Sequence, residues 1–285
     1  MILNTIAEAT RIRVSKAKKE LSLEQLKAMI YDGAGVKSFH NRNAFAFEKA
    51  LIKKINLADS KTCEGHRSDI QNTNDHIAFI CEVKKASPSK GIIAENFPYL
   101  EIAKEYVAAG ADAISVLTEP EFFKGSNQYL TEISNSVPIP VLRKDFTVDE
   151  YQIYEAKLIG ADAVLLICAL LDTETIKKYL RLCNELGLSA LVEAHTEEEI
   201  ISAKEAGARV IGVNNRNLQT FEVDLNNSVR LRNKVSKDTI YVAESGIKTP
   251  QDMRVLKNAG VNAVLIGETL MRSPNKKDQL DQLRV

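Results

Sequence analysis

Two side chains of opposite charge, Glu82 and Lys84, stand two residues apart in the stretch ICEVKKASPSKG at positions 80–91. An apolar run from Ala78 to Cys81 precedes them, and a loop of Ser, Pro and Gly follows. Residues two apart on a strand share a face, so this acid and this base project together. Such a pair at the exit of a buried strand is costly as packing and useful as acid/base chemistry.

Other apolar runs end in the same way. Arg143-Lys144-Asp145, Glu193, Asn214-Asn215-Arg216, Glu244-Ser245-Gly246 and Gly267-Glu268 each follow one. Taken singly, a lysine there is usually solvated, and a glutamate usually caps a helix or pairs with a cation. Brought around one opening, two lysines, three glutamates and an asparagine would shift one another's pKa values and form acid/base pairs. Gly246 and Gly267 add a different chemistry. Glycine lets backbone approach a ligand closely, and exposed N–H groups bind an anion such as phosphate. The plainer alternative is that both glycines only make tight turns.

The elements that would position these residues follow a repeating phrase. AGADAI at 109–114, IGADAV at 159–164, AGARVI at 206–211 and AGVNAV at 259–264 each close an amphipathic segment with glycine and open an apolar run. That is a helix ended by a left-handed glycine and feeding a buried strand. Strands are expected near 77–83, 112–117, 139–143, 162–167, 188–192, 209–213, 239–243 and 262–266. Eight continuous apolar strands separated by helices indicate an α/β fold, a closed (β/α)8 TIM barrel whose site lies at the carboxyl ends of the strands. A doubly wound open sheet would show G-x-G-x-x-G after its first strand, and none is present. Capping boxes are expected at Thr147–Glu150 and Thr196–Glu199, a cap at Thr249 before Pro250, and a helix from Asp172 to near Gly187.

Residues 1–76 are read as a helical N-terminal extension and polar loop, within a single barrel domain spanning 1–285. Ile2, Ile6, Ala9 and Ile12 fall on one expected helical face. Ser22 to Gln25 forms a capping box for a helix that Gly33 ends, and a third helix covers Ala44 to Lys54. Asn56 to Asp75 is polar and aperiodic, and reads as a surface loop.

Lys+Arg and Asp+Glu both number 38 in the 285 residues, which argues against a nucleic-acid partner. No apolar run approaches the roughly 20 residues of a membrane helix, and the first 20 residues lack a signal peptide's apolar core. The expected place is the cytoplasm. Cys63, Cys81, Cys168 and Cys183 form no C-x-x-C pair, and His40, His66, His76 and His195 show no ligand spacing, so no metal is expected. Cys81 precedes Glu82 and should face away from the opening.

These segments together give the chain a strong resemblance to the indole-3-glycerol phosphate synthases of tryptophan biosynthesis. The matching stretches are EVKKASPSK at 82–90, VLRKDF at 141–146, LVEAH at 191–195, GVNNR at 212–216, VAESG at 242–246 and LIGE at 265–268. The resemblance implies a carbon–carbon lyase acting on 1-(2-carboxyphenylamino)-1-deoxyribulose 5-phosphate by ring closure, decarboxylation and dehydration. No cofactor is implied. It makes Glu82, Lys84, Lys144, Glu193, Asn214 and Ser245 the catalytic positions. Lys144 matches the main general acid, Glu193 its acid/base partner, and Glu82 and Lys84 the first-strand pair, with Lys84 also near the substrate's anionic groups. Asn214 and Glu244 match groups that hold the sugar hydroxyls and the lysines. Ser245, Gly246, Gly267 and Glu268 match phosphate-contacting positions. Arg216 and Ser87 are expected at the anthranilate carboxylate, and Phe123 as an aromatic wall. The linker at Asn56–Asp75 is longer than the family's usual one. Association with another enzyme of the pathway is left open. The rival readings are phosphoribosylanthranilate isomerase on the same barrel and a non-catalytic barrel that binds a phosphorylated metabolite.

Overall fold

Four glycines carry the repeating phrase into three dimensions. Gly110, Gly160, Gly207 and Gly260 all have left-handed backbone, with φ of 81°, 91°, 88° and 79°. Each stops a helix and turns the chain into the next strand, as a residue without Cβ can do at low cost.

The structure, a computed structural model, describes residues 2–32, 42–52, 77–217 and 220–285. It begins with helices α1 (Ile2–Glu20), α2 (Leu23–Tyr31) and α3 (Ala46–Leu51). Strand β1 (Ala78–Val83) follows, and then a small hairpin of β2 (Ala86–Ser87) and β3 (Gly91–Ile92). Helices and strands then alternate. They are α4 (Tyr99–Ala108), β4 (Ala113–Leu117), α5 (Asn127–Ser136), β5 (Val141–Lys144), α6 (Tyr151–Leu158), β6 (Ala163–Ile167), α7 (Thr173–Leu186), β7 (Ser189–Ala194), α8 (Glu197–Glu205), β8 (Val210–Asn214), α9 (Asn226–Arg232), β9 (Ile240–Glu244), α10 (Pro250–Asn258) and β10 (Ala263–Ile266). Helices α11 (Glu268–Arg272) and α12 (Lys276–Leu283) close the chain.

Strand β1 and strands β4 to β10 form a closed parallel barrel, with β1 pairing β10 on one side and β4 on the other. This is the expected TIM barrel. All eight strands lie within a few residues of their sequence-based positions.

The pleat sorts each strand's side chains into two sets. Ala78, Ile80, Leu142, Leu165, Leu191, Val242 and Leu265 fill the barrel interior, while Phe79, Cys81, Val141, Val192 and Ala243 face the surrounding helices. Continuing that alternation puts Glu82, Lys144, Glu193, Asn214 and Glu244 on the inner set at the carboxyl ends. Cys81 faces outward, as expected. At the opposite end Phe47 and Leu51 of α3 join the interior cluster and plug the barrel.

The N-terminal helices lie against the barrel. Val14 of α1 and Leu26 of α2 belong to the outer core. Arg13 donates to both oxygens of Asp145 at 2.7 and 2.9 Å, and Lys18 meets Asp149 at 2.7 Å.

Several local expectations are met. Ser22 and Gln25 form a reciprocal capping box, Thr249 and Asp252 form another with Pro250 in the first turn, and Asp172 caps the helix that Gly187 ends at φ 68°. Others need correction. The buried face of α1 is Leu3, Ile6, Ala7, Thr10 and Val14, and Ile12 is exposed. Thr147 caps nothing, because α6 starts at Tyr151 and Asp149 accepts from the Tyr151 N–H instead. Thr196 does cap α8, but Glu199 turns its carboxylate to the His195 N–H rather than back to Thr196. The expected helix end at Gly33, the residues beyond Ile52 in the third helix, and the Asn56–Asp75 loop lie outside the described residues, as do His40, Cys63, His66 and His76.

Candidate active site

The carboxyl ends of the strands open into a cavity of about 670 Å³, and all thirteen residues named from the sequence line it. That volume suits a drug-sized metabolite.

Its floor is a chain of alternating charges. From β1, Glu82 Oε1 lies 2.5 Å from Lys84 Nζ. From β5, Lys144 Nζ lies 3.0 Å from Glu193 Oε2 on β7 and 3.2 Å from Glu244 Oε2 on β9. Asn214 on β8 donates to Glu193 Oε1 at 3.3 Å and accepts the Arg216 N–H at 3.0 Å. Glu82, Glu193 and Glu244 are all buried.

Burial and neighbours then set the protonation states. Burial lowers the Lys144 pKa, but Glu193, Glu244 and Glu82 outweigh it and hold the ammonium charged. Burial also pushes Glu193 up, and Lys144 and His195 outweigh it, so Glu193 stays below the usual carboxylate range. At Glu244 burial prevails over the pull of Lys144, with the charges of Glu193 and Glu82 adding to it, and its pKa is pushed up to about 7. Two carboxylates on one lysine thus differ in their hold on a proton, the arrangement that separates acid from base.

Glycines make room for this cluster. A Cβ at Gly212 would lie 2.2 Å from Glu244 Oε1, and one at Gly267 would lie 2.3 Å from Glu82 Oε1 and 3.0 Å from Lys84 Nζ. Glycine is therefore needed within β8 and directly after β10, where a carboxylate must fit against the backbone.

One wall is suited to an anion. Ser245 and Gly246 are both left-handed, with φ of 68° and 85°, and a side chain at Gly246 would meet Val223 Cγ1 at 2.5 Å. Gly267 precedes α11 with no side chain capping it. Lys90, Lys248 and Arg272 line the same side. The Glu268 carboxylate is turned to two of them, 3.1 Å from Arg272 Nε and 3.8 Å from Lys90 Nζ.

The rest of the wall is apolar. Phe123 stands beside Phe146, ring centroids 6.0 Å apart, with Leu117, Leu165 and the α1 residues Ile2, Leu3 and Ile6 completing that side. The loop carrying Phe123 is fixed by buried Glu119, whose carboxylate accepts the N–H groups of Glu121, Phe122 and Phe123 at 2.9, 2.7 and 2.9 Å. Ser87 lies at the hairpin edge, and Arg216 reaches the Phe221 carbonyl at 3.0 Å.

Two charged neighbours point elsewhere. The Arg143 side chain turns out of the barrel to Glu155, the Gln152 carbonyl and Asp145. The Asp145 carboxylate is held by Arg13, Arg143 and Thr118. Sequence reasoning missed Lys90, Lys248, Arg272, Phe146 and Gly212 as site residues. A signal existed for two of them, since Lys90 sits in the opening motif and a glycine inside a strand marks a close approach.

Among the described residues, no group of three His, Cys, Asp or Glu could hold a metal ion, and no helix is long and apolar enough to cross a membrane.

Known proteins place this arrangement. A synthase from Ruminiclostridium cellulolyticum, named indole-3-glycerol phosphate synthase, is 56% identical over 284 residues, covering 100% of this chain and 99% of its own. One of the same name from Endomicrobium trichonymphae is 52% identical over 284 residues and covers both chains fully. Among solved structures, a 3-hexulose-6-phosphate synthase matches with a TM-score of 0.58 at 16% identity, over 73% of this chain and 98% of that one. Phosphoribosylanthranilate isomerase from Thermotoga maritima matches at 0.51 and 16%, over 73% and 96%. At such identity these two share only the fold. The family model described as indole-3-glycerol phosphate synthase matches residues 42–283, and the chain belongs to that family.

Proposed function

We propose that this protein is an indole-3-glycerol phosphate synthase. It closes the carboxyphenylamino ring of 1-(2-carboxyphenylamino)-1-deoxyribulose 5-phosphate onto the sugar carbonyl and releases carbon dioxide and water. The observation that carries this reading is the Lys144 ammonium, held between Glu193 and Glu244 on the floor of a cavity with an anion-suited wall.

The chemistry sets the roles. The ring carbon bearing the carboxylate adds to the ketone carbon, and Lys144 protonates the oxygen as charge develops on it. Carbon dioxide then leaves, and its bonding electrons return to the ring. The hydroxyl departs as water with a second proton, and Glu193 takes a proton from the carbon next to nitrogen. Lys84, paired with Glu82, is the second ammonium on the cavity floor. Two protons go in and one comes out, so each turnover consumes one proton. The sequence is redox-neutral, and the carboxylate is itself the leaving group, so no cofactor is invoked.

Binding divides along the cavity. Ser245, Gly246, Gly267 and Glu268 offer backbone N–H groups to the phosphate, with Lys90, Lys248 and Arg272 supplying charge. Phe123 and Phe146 flank the aromatic ring, Arg216 and Ser87 take its carboxylate, and Asn214 and Glu244 hold the sugar hydroxyls. The N-terminal helices work with the barrel as one domain, since Ile2, Leu3 and Ile6 complete the cavity. The partner is a small phosphorylated metabolite, not nucleic acid or membrane, and the setting is the cytoplasm.

Product identity tests the reading. Indole absorbance should grow when the purified protein meets the carboxyphenylamino substrate. Isomerisation of phosphoribosylanthranilate with no indole formed would replace it with the isomerase reading.

A further inference from the structure

His195 follows the last residue of β7, and the reaction as assigned makes no use of it. Its ring is wedged between two carboxylates. Nε2 lies 3.5 Å from Glu193 Oε1, and Nδ1 lies 3.3 Å from Glu199 Oε2. An ionised carboxylate only accepts, so Nδ1 donates to Glu199, and a proton on Nε2 as well makes the ring an imidazolium facing Glu193. Nε2 is buried without a hydrogen-bond partner, at ion-pair range from Glu193 but beyond a good hydrogen bond. A buried unpaired donor is costly to keep.

The backbone around the ring is pinned. The His195 N–H donates to Glu199 Oε2 at 2.6 Å, and Asn227 donates to the His195 carbonyl at 3.2 Å. Helices α8 and α9 thus aim the ring at Glu193. That carboxylate has a cation at each oxygen, with Lys144 at Oε2 and His195 facing Oε1. Lys144 surrenders its proton during the reaction. His195 then remains as the cation beside Glu193.

We propose that His195, held by Glu199, is a positioning residue for Glu193, which it orients and keeps anionic while Lys144 is deprotonated. The proposal rests on the reading of Glu193 as the acid/base partner.

The surrounding groups agree with it. Burial pushes the His195 pKa down, but Glu199 and Glu193 outweigh it, with Glu244 on β9 adding to them, and the ring holds its proton above the ordinary histidine range. Cys168, after β6, lies near the same two carboxylates, and burial pushes its thiol up to about 12, so it stays uncharged. Asn227 on α9 is neutral.

The test is a pH–rate profile of kcat/KM for the full chain and for His195→Asn, His195→Gln and Glu199→Gln. Loss of a cation at this range raises the pKa of Glu193. The acid limb of the histidine variants should move to higher pH by about half to one unit, with kcat falling more than KM changes. Glu199→Gln should move it the same way by less, because the ring then keeps its proton less firmly. At alkaline pH, where the wild-type ring is neutral, the gap should narrow. An acid limb that does not move, or a loss uniform across pH, overturns the proposal. Glu193→Gln serves as the separate control. If that variant keeps its turnover, the assignment of Glu193 itself fails, whatever the histidine variants show.

Discussion

Lys144 Nζ lies 3.0 Å from Glu193 Oε2, although 49 residues of chain separate the two. The barrel makes the contact, because β5 and β7 each direct an inward side chain to the same end. Two carboxylates are arranged around this one ammonium. Replacing it with an isosteric neutral group should therefore disable proton delivery and leave the fold. Lys144→Met should lose turnover by roughly 10²- to 10⁴-fold while its circular dichroism spectrum stays unchanged. Single-turnover indole formation at the wild-type rate would remove Lys144 from the chemistry.

Glu244 gives a pH signature in stability. Its pKa is pushed up to about 7 from an ordinary value of 4.5, so between these the folded protein binds more protons than the unfolded chain. Stability tied to this group is present below the lower value and is lost as pH rises through the upper one. A glutamine at 244 never ionises and avoids that loss. The melting temperature of Glu244→Gln minus that of wild type should grow between about pH 5 and about pH 8. A flat difference across that range would show that Glu244 is not the proton-holding carboxylate.

Gly267 tests the close fit of the first-strand pair. Its φ of −113° suits any residue, so alanine brings no backbone strain. What alanine brings is a methyl group 2.3 Å from Glu82 Oε1 and 3.0 Å from Lys84 Nζ. The pair must shift, and overpacking of this kind costs about 1–3 kcal/mol. Gly267→Ala should lower kcat/KM by more than that modest loss of stability explains, as measured by steady-state kinetics beside urea unfolding. Normal kinetics would show that the Glu82–Lys84 placement is not critical.

The barrel was legible because α4, α6, α7, α8 and α10 stop at a glycine and each strand is a short apolar run. The site was legible because ionisable residues at strand exits are rare and dear. The parity of β1 was read from the sequence, but that of β5 was not: Arg143 and Lys144 are adjacent and both basic, yet the pleat sends Lys144 inward and Arg143 out to Glu155. Nor was the buried side of α1, where the cavity and Asp145 select Leu3, Thr10 and Val14 over the equally apolar Ile12. The clustering of Lys90, Lys248 and Arg272 depends on two separate loops and the end of α11, and spacing along the chain carries no trace of it. Thr147 shows the converse, a good local cap signal overruled because the chain makes an Asx turn at Asp149 first.

Glu119 is a buried carboxylate whose two oxygens accept three consecutive backbone N–H groups, those of Glu121, Phe122 and Phe123. The loop it ties ends at Gly125, where any side chain would lie 2.3 Å from the Leu117 carbonyl. Phe123 therefore has one seat against the cavity, set by the carboxylate at one end and by glycine at the other. Charge-assisted bonds are the stronger kind, and truncation would leave three N–H donors without their acceptor. Glu119→Ala should lose about 2–4 kcal/mol of stability in urea unfolding and raise KM by about tenfold or more, with a smaller fall in kcat. Glu119→Gln retains one accepting oxygen and should fall between the two. A KM that stays at the wild-type value in the alanine variant would mean that Phe123 does not hold the substrate ring.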